Sequence, residues 1–500
     1  MQETMKAMQE ELRLLKKHIF GASSEKLPRE DVEGQMDLLF NEAELYADFS
    51  APEVEEQPAA ARTRKRRSGS VCDVIPENTP VEIVEHRLSE DELYCPECGT
   101  TMVEIGKEIH RELKIIPARV IVREDHYYSY ACAVCKDEAE KTPILTAPRK
   151  PAVIPGSFAS PEAIAHIMNQ KYVMASPLSR QAKAFERDGI QLSKQTMSNW
   201  ILRAEQDWLR PVYEHLHEEL CKSSVLHADE TTLQVLHEEG KTAQSKSYMW
   251  LYRTSGDSEF PIILYDYQPN RKGVNAENFL KGFSGYLHTD GFAGYHKLRE
   301  DIRIVGCWAH ARRKLDDAVK ALPKGEQATA AALEGQRYCS KLFAIEGKLA
   351  DVTPEERYKQ RLEQAKPVLD ALLAWSHSVK AAPKSALGRA IYYLHEQWPY
   401  LLRYLEDGRL ELSNNRAEQG MKKFAIGRKN FLFANVPKGA QGSAVIYSIV
   451  ETAIANNLDP YRYLVWIMQT APALSKTDPD WAAKLAPNNA PDEVKACSNN

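Results

Sequence analysis

A carboxylate set in the middle of a buried strand restricts this chain more than any other feature. In SSVLHADETTLQV, Ser223 to Val235, Asp229 follows Val225 and Leu226 and precedes Leu233 and Val235. A short apolar run of this kind reads as a strand covered by its neighbours. An ionised carboxylate is expensive there unless another group compensates it. The compensating group must come from elsewhere in the chain.

Downstream, SYMWLYRTS and FPIILYDYQ predict two further strands, and NAENFLKGF predicts a helix. SGYLHTDGFAGYHKL begins as a fourth strand with Asp290 at its end, and IRIVGCWAH is a fifth that leads into the helix ARRKLDDAVKAL. Three antiparallel strands followed by alternating helix and strand is the order of the ribonuclease H-like fold. In that order the first and fourth strands are neighbours, so Asp229 and Asp290 would face each other. Two carboxylates that close repel unless a cation lies between them. Magnesium or manganese, hard and oxygen-loving, is the natural ion. Two such ions about 3.5–4 Å apart serve both the attacking and the leaving oxygen in phosphodiester chemistry.

A third carboxylate is expected after a long helical stretch, in LELSNNRAEQGMKKFAIGRKNFLFANVPKG, where Glu418 sits near a helix start. With Asn415 as N-cap, Glu418 would also suit a capping box that needs no metal. Glu406 and Glu411 precede the helix in a turn-rich segment expected to lead into the core, and Glu451 falls inside the apolar AVIYSIVETAIA. Between Arg416 and Lys438, six cations (Arg416, Lys422, Lys423, Arg428, Lys429 and Lys438) accompany the single acid Glu418. A basic strip beside an acidic centre suits a polyanionic substrate.

The chain is too long, at 500 residues, for a single core, which predicts a multidomain α/β protein. Met1, Met5, Met8, Leu12, Leu15 and Ile19 form an a/d seam within residues 1–48, either a short coiled coil for self-association or one amphipathic helix. Residues 49–80 form a linker with the basic run Arg62, Arg64, Lys65, Arg66 and Arg67, which is phosphate-seeking or merely solubilising. In 81–146, Cys95 with Cys98 and Cys132 with Cys135 make two C-x-x-C knuckles, the four thiolates of one structural zinc in a small β module. Residues 147–215 are helical, with a helix-turn-helix-like pair whose second helix is capped by Ser193 and presents Lys194, Gln195, Ser198 and Asn199. The core follows in 216–320, a helical insertion in 321–405, the core's completion in 406–475, and a Pro/Asn-rich tail, expected to be disordered, in 476–500. A net charge of −5 confines any nucleic-acid surface to local clusters. No apolar run is long enough for a membrane span, and the polar N-terminus does not suit a signal peptide, so a cytoplasmic, nucleoid-associated protein is expected.

Together, HADET, HTDGFAGY, CWAHARRK, NNRAEQGMK and GRKNFLFA, with the paired knuckles before them and KKHIFGASSEKL at the N-terminus, resemble the insertion-sequence-66 family of bacterial transposases. The resemblance implies a DDE recombinase whose metal-binding acids are Asp229, Asp290 and Glu418, with two magnesium or manganese ions. It also implies a helical insertion before the Glu, a zinc-binding module, action on the terminal inverted repeats of the element, and accessory proteins encoded beside it. Gly291 stands where such proteins often carry an alanine-type residue.

Nearby residues have open roles. Glu230 is expected on the face opposite Asp229, with a structural role or one supporting the site from behind. His227 and His288 share the faces of the two acids and are expected to pack beside the site rather than bind magnesium. Cys307 and His310 resemble the Cys-x-x-His of some cut-and-paste transposases, and either organise the site or contact DNA, or else close a strand end. Arg312 and Arg313 are expected to meet phosphate, as are Arg416, Lys422, Lys423, Arg428 and Lys429. Two rival readings are a zinc-containing DNA-binding regulator with an inactive core and a metal-dependent hydrolase built on the two His-x-Asp pairs.

Overall fold

The computed structural model describes residues 8–10, 12–13, 120–131, 144–327 and 330–496. The knuckle cysteines Cys95, Cys98, Cys132 and Cys135, the basic run at 62–67 and most of the N-terminal seam lie outside the described residues. The chain divides into two units, one comprising Met1–Ser23 with Arg149–Ser498, the other Ser24–Pro148 with Asn499–Asn500. In the second unit, Ser129–Ala131 pairs antiparallel with Ile144–Thr146.

The first unit is built on a five-stranded mixed sheet. Its strands are β1 (Val225–Gln234), β2 (Lys246–Thr254), β3 (Ile263–Gln268), β4 (Gly285–His288) and β5 (Ile302–Val305). Their spatial order is β3-β2-β1-β4-β5. β2 runs antiparallel to both β1 and β3, whereas β4 lies parallel to both β1 and β5. The expected adjacency of the first and fourth strands is therefore present. Helix α5 (Gly273–Phe279) makes the crossover into β4.

Both sheet edges are closed, as exposed edges invite unwanted pairing. At the β3 edge lies helix α11 (Pro437–Ala455), where Ser448 Oγ accepts from Tyr265 N–H at 2.7 Å and Thr452 Oγ1 accepts from Ile263 N–H at 3.0 Å. At the β5 edge, Arg403 donates to Ile304 O at 2.8 Å, and Gly306 N–H donates to Tyr400 O.

Helices α1 (Pro161–Tyr172), α2 (Leu178–Arg187) and α3 (Lys194–Ala204) form the region read as helix-turn-helix-like. Ser193 caps α3 as expected, its hydroxyl accepting from Thr196 N–H at 3.0 Å. Lys194, Gln195 and Asn199 are exposed. Through a π turn, α3 runs on into α4 (Arg210–Cys221). Ile164, Met168, Trp200 and Leu216 share one apolar core with the sheet, α11 and α12 (Pro460–Leu474), so residues 147–215 are not a separate globule.

Helix α6 (Trp308–Lys320) follows β5. With the insertion helices α7 (Ala332–Lys348), α8 (Lys366–Ser378) and α9 (Ala386–Leu402) it encloses a second core around Trp308, Leu315, Leu342 and Leu372. Arg361, almost fully buried, pairs with Glu346 and donates to the carbonyls of Tyr404, Asp407 and Leu410. These bonds fix the segment that returns to α10 (Asn415–Phe431).

Composition misled at the C-terminus. The segment 476–500, expected to be disordered, is packed through residue 496: Leu485, Ala486 and Val494 are buried, Trp481 meets Trp208 edge-on, and Asp459 N–H donates to Val494 O. A few large apolar groups anchor a stretch that its Pro and Asn content describes poorly. Among the described residues, no helix is long and apolar enough to cross a membrane.

Candidate active site

β1 enters the centre through four buried residues, Val225 to Ala228, before Asp229. In the parallel pairing, His227 lies opposite His288. Asp229 and Asp290 each stand two residues further on, so both acids leave the same end of the β1–β4 pair. Burial raises the Asp229 carboxyl well above its ordinary range, and the charges of Glu230, Asp290 and Glu418 push it further. Asp229, Asp290 and Glu418, dispersed in sequence, thus share one electrostatic environment. Glu418 arrives from the first turn of α10.

The capping-box alternative for Glu418 is not the arrangement formed. The cap position of α10 is Asn414 rather than Asn415, and no side chain caps the helix. The Glu418 carboxylate instead lies 3.6 Å from His310 Nδ1 through one oxygen and 3.6 Å from the Arg313 guanidinium through the other. Asp290 Oδ1 accepts from Phe292 N–H at 2.9 Å, and its other oxygen lies 3.8 Å from Arg271.

Glu230 has the supporting position expected of it. Its carboxylate accepts from the Tyr295 hydroxyl at 2.6 Å and from Arg271 Nε at 2.6 Å, and Arg271 also reaches Asp290. The Arg271 guanidinium lies over the Phe292 ring, 4.0 Å from its centroid. Glu230 is therefore linked to Asp290 indirectly, through one guanidinium.

Asn414, which the sequence reading did not single out, joins three elements. Its Nδ2 donates to Ala228 O at 2.8 Å, so its Oδ1 is left to accept from His227 Nδ1–H at 3.0 Å. Its backbone N–H donates to Cys307 Sγ at 3.2 Å. It is fully buried, and it holds the start of α10 against β1 beside Asp229. An Asn before a helix reads as a cap, which conceals this role in the sequence. Glu411 was also expected to turn away from the site. Its carboxylate instead pairs with Arg416 and lies 4.0 Å from His227 Nε2, while its N–H donates to His288.

The cations divide. Lys422 and Lys429 are exposed on α10. Arg312 lies over the Phe343 ring. Lys423 pairs with Glu451, and Arg428 turns inward to the Thr232 carbonyl and the hydroxyls of Thr231 and Thr232. Lys423 and Arg428 therefore have protein partners, whereas Lys422 and Lys429 face outward.

The donor set of Asp229, Asp290 and Glu418 is all carboxylate oxygen, and Glu418 Oε1 is buried without a hydrogen-bond partner. Both observations fit a hard divalent cation.

Acids at matching ends of adjacent parallel strands, joined by a third from a helix after an insertion, define an α/β protein with a carboxylate centre. Residues 156–442 match the model described as "Transposase IS66 family". Residues 92–136, spanning the four knuckle cysteines, match the zinc-finger binding domain of transposase IS66, and residues 7–84 match "Transposase C of IS166 homeodomain". The chain belongs to the IS66 transposase family. Over 483 residues it is 28% identical to uncharacterized protein y4hP of Sinorhizobium fredii (strain NBRC 101917 / NGR234), covering 92% of this chain and 85% of that protein. Uncharacterized protein y4jD of the same strain is 28% identical, covering 92% of this chain and 90% of that one.

Proposed function

We propose that this chain is a DDE transposase with a ribonuclease H-like core. It binds the terminal inverted repeats of its element, hydrolyses the DNA ends and joins the 3′ hydroxyls to target DNA. The observation that carries the reading is the parallel register of β1 and β4, which sets Asp229 and Asp290 beside each other in reach of Glu418's charge. Those three acids would hold two magnesium or manganese ions. The chemistry such ions supply is activation of the attacking oxygen and stabilisation of the leaving one.

The chain's own residues position these groups. The stacked His227 and His288 set the strand ends, Asn414 fixes α10 against β1, and Arg271 holds Glu230 and Asp290 in place. Lys422, Lys429, Arg312 and Arg313 are assigned to the DNA backbone, together with Arg416. Cys95, Cys98, Cys132 and Cys135 are assigned to one structural zinc, a closed site with no open position for water. Because two DNA ends must be held together, the active form is a homo-oligomer, to which residues 1–20 contribute apolar pairing.

The test is cleavage of a duplex carrying the element's end, with magnesium and with EDTA. Magnesium-dependent nicking at the repeat boundary is expected. Binding to the repeats without any cutting in magnesium or manganese would instead favour a regulator with an inactive core.

A further inference from the structure

We propose that Cys307, His310 and Glu418 form a binding site for one thiophilic divalent ion of the zinc, cobalt(II) or cadmium class. Among the described residues, this is the cluster in which three His, Cys, Asp or Glu ligand atoms all lie within 4.8 Å of one another. The three acids assigned to magnesium do not gather that tightly.

The cluster follows from two helix starts. Cys307 occupies the N-cap of α6, and His310 lies one turn on, so the Cys-x-x-His spacing brings both onto one side. Glu418 comes from the first turn of α10, held close by the bond from Asn414 N–H to Cys307 Sγ. The backbone N–H groups of Ala309 and His310 also point at that sulfur. Burial pushes the Cys307 thiol up to about 11, and these N–H groups work against that rise.

The polar atoms around it are incomplete. His310 Nδ1 and Glu418 Oε1 are both buried without a hydrogen-bond partner, and their separation of 3.6 Å is too long for a bond between them. Buried orphan atoms of this kind call for a partner. An ion between sulfur, imidazole and carboxylate satisfies all three atoms at once. Sulfur and nitrogen select a borderline or soft ion, whereas magnesium prefers oxygen alone. The ion would have three protein ligands and one open position.

This site does not require the transposase reading, although it shares Glu418 with it. The test is a cobalt(II) titration of the full chain, with zinc already in its knuckles, followed by absorption. One added equivalent is expected to give a sulfur-to-cobalt charge-transfer band with tetrahedral visible bands. Both should be lost in Cys307→Ser and in His310→Ala. His310 is half-buried, so its variant decides the matter if Cys307→Ser fails to fold. Absence of the band in the unmodified protein, or its persistence in both variants, overturns the proposal. No DNA is present, so a protein inactive in cleavage that shows the band leaves the site standing, and an active one without it sinks the site alone.

Discussion

The imidazole rings of His227 and His288 stack 4.3 Å apart and within 7° of parallel. Both are fully buried, and each has one nitrogen without a partner, Nε2 of His227 and Nδ1 of His288. Two cations could not stack so closely in an apolar interior, so both rings are neutral. Burial lowers His227 to about 3, and it holds His288 well below its ordinary 6.5, with the neighbouring ring adding to the effect. The pair is therefore an uncharged packing layer across the two paired strands that carry Asp229 and Asp290.

A pH dependence follows from that neutrality. Below 6.5 the unfolded chain takes up protons that the folded histidines refuse. The stability they contribute is therefore full above 6.5 and is lost as pH falls towards about 3. The expected slope is about 1.4 kcal/mol per pH unit for each ring. Urea midpoints between these limits should fall steeply for the unmodified protein, and His227→Asn should flatten the curve. Equal slopes for the two proteins would mean that His227 is charged in the fold.

Asp229 works in the opposite sense. Its carboxyl is pushed up by burial and by neighbouring acids, so without metal its ionisation opposes folding. Metal-free stability should decline as pH rises above the ordinary aspartate value of 3.8 towards the raised folded value. Asp229→Asn is expected to raise the Tm of the EDTA-treated protein at neutral pH while abolishing cleavage, the exchange of stability for function common at active sites. A lower Tm would show that the ionised carboxylate has a stabilising partner.

The Asn414 side chain can be tested by truncation. Asn414→Ala leaves the Ala228 carbonyl and the His227 Nδ1–H buried without partners. The expected cost is about 2–6 kcal/mol in chemical unfolding, at roughly 1–3 kcal/mol for each of the two orphaned groups. Cleavage should fall even where the variant is fully folded, because α10 is no longer fixed to β1. Full cleavage by the folded variant would reduce Asn414 to a purely structural role.

The edge of β3 allows a separate test away from the chemistry. Thr452 Oγ1 accepts from Ile263 N–H and donates to Ile263 O. Thr452→Val keeps the shape and removes both bonds, with an expected loss of about 1–3 kcal/mol and unchanged DNA cleavage per folded molecule. An unaltered unfolding midpoint would show that the strand edge finds other partners.

The strands were legible because a buried strand needs a run of apolar residues whatever surrounds it, as in VLHADETTLQV and YMWLY. Asp229 stood out by breaking such a run, and Asp290 by closing the fourth strand. What stayed hidden depends on distant partners. Glu411 looked turned away because the direction of a turn-rich segment is set by Arg361, which binds the carbonyls of Tyr404, Asp407 and Leu410. Arg428 read as a DNA contact because nothing local shows that a carbonyl of β1 lies within its reach. The supporting role of Glu230 was legible from strand alternation, but its partners Tyr295 and Arg271 were not.

The central claim is that Glu418 completes an acid centre with Asp229 and Asp290. Its most direct test is cleavage and strand transfer on end-sequence DNA in magnesium by Glu418→Gln, with thermal melting of the same sample. Gln keeps the length of the side chain and its hydrogen-bonding capacity near His310 and Arg313 but removes the charge. The expected result is a near-native Tm, retained binding to the DNA ends, and no detectable cleavage or joining. Cleavage at a normal rate by a folded Glu418→Gln protein would contradict the three-acid centre.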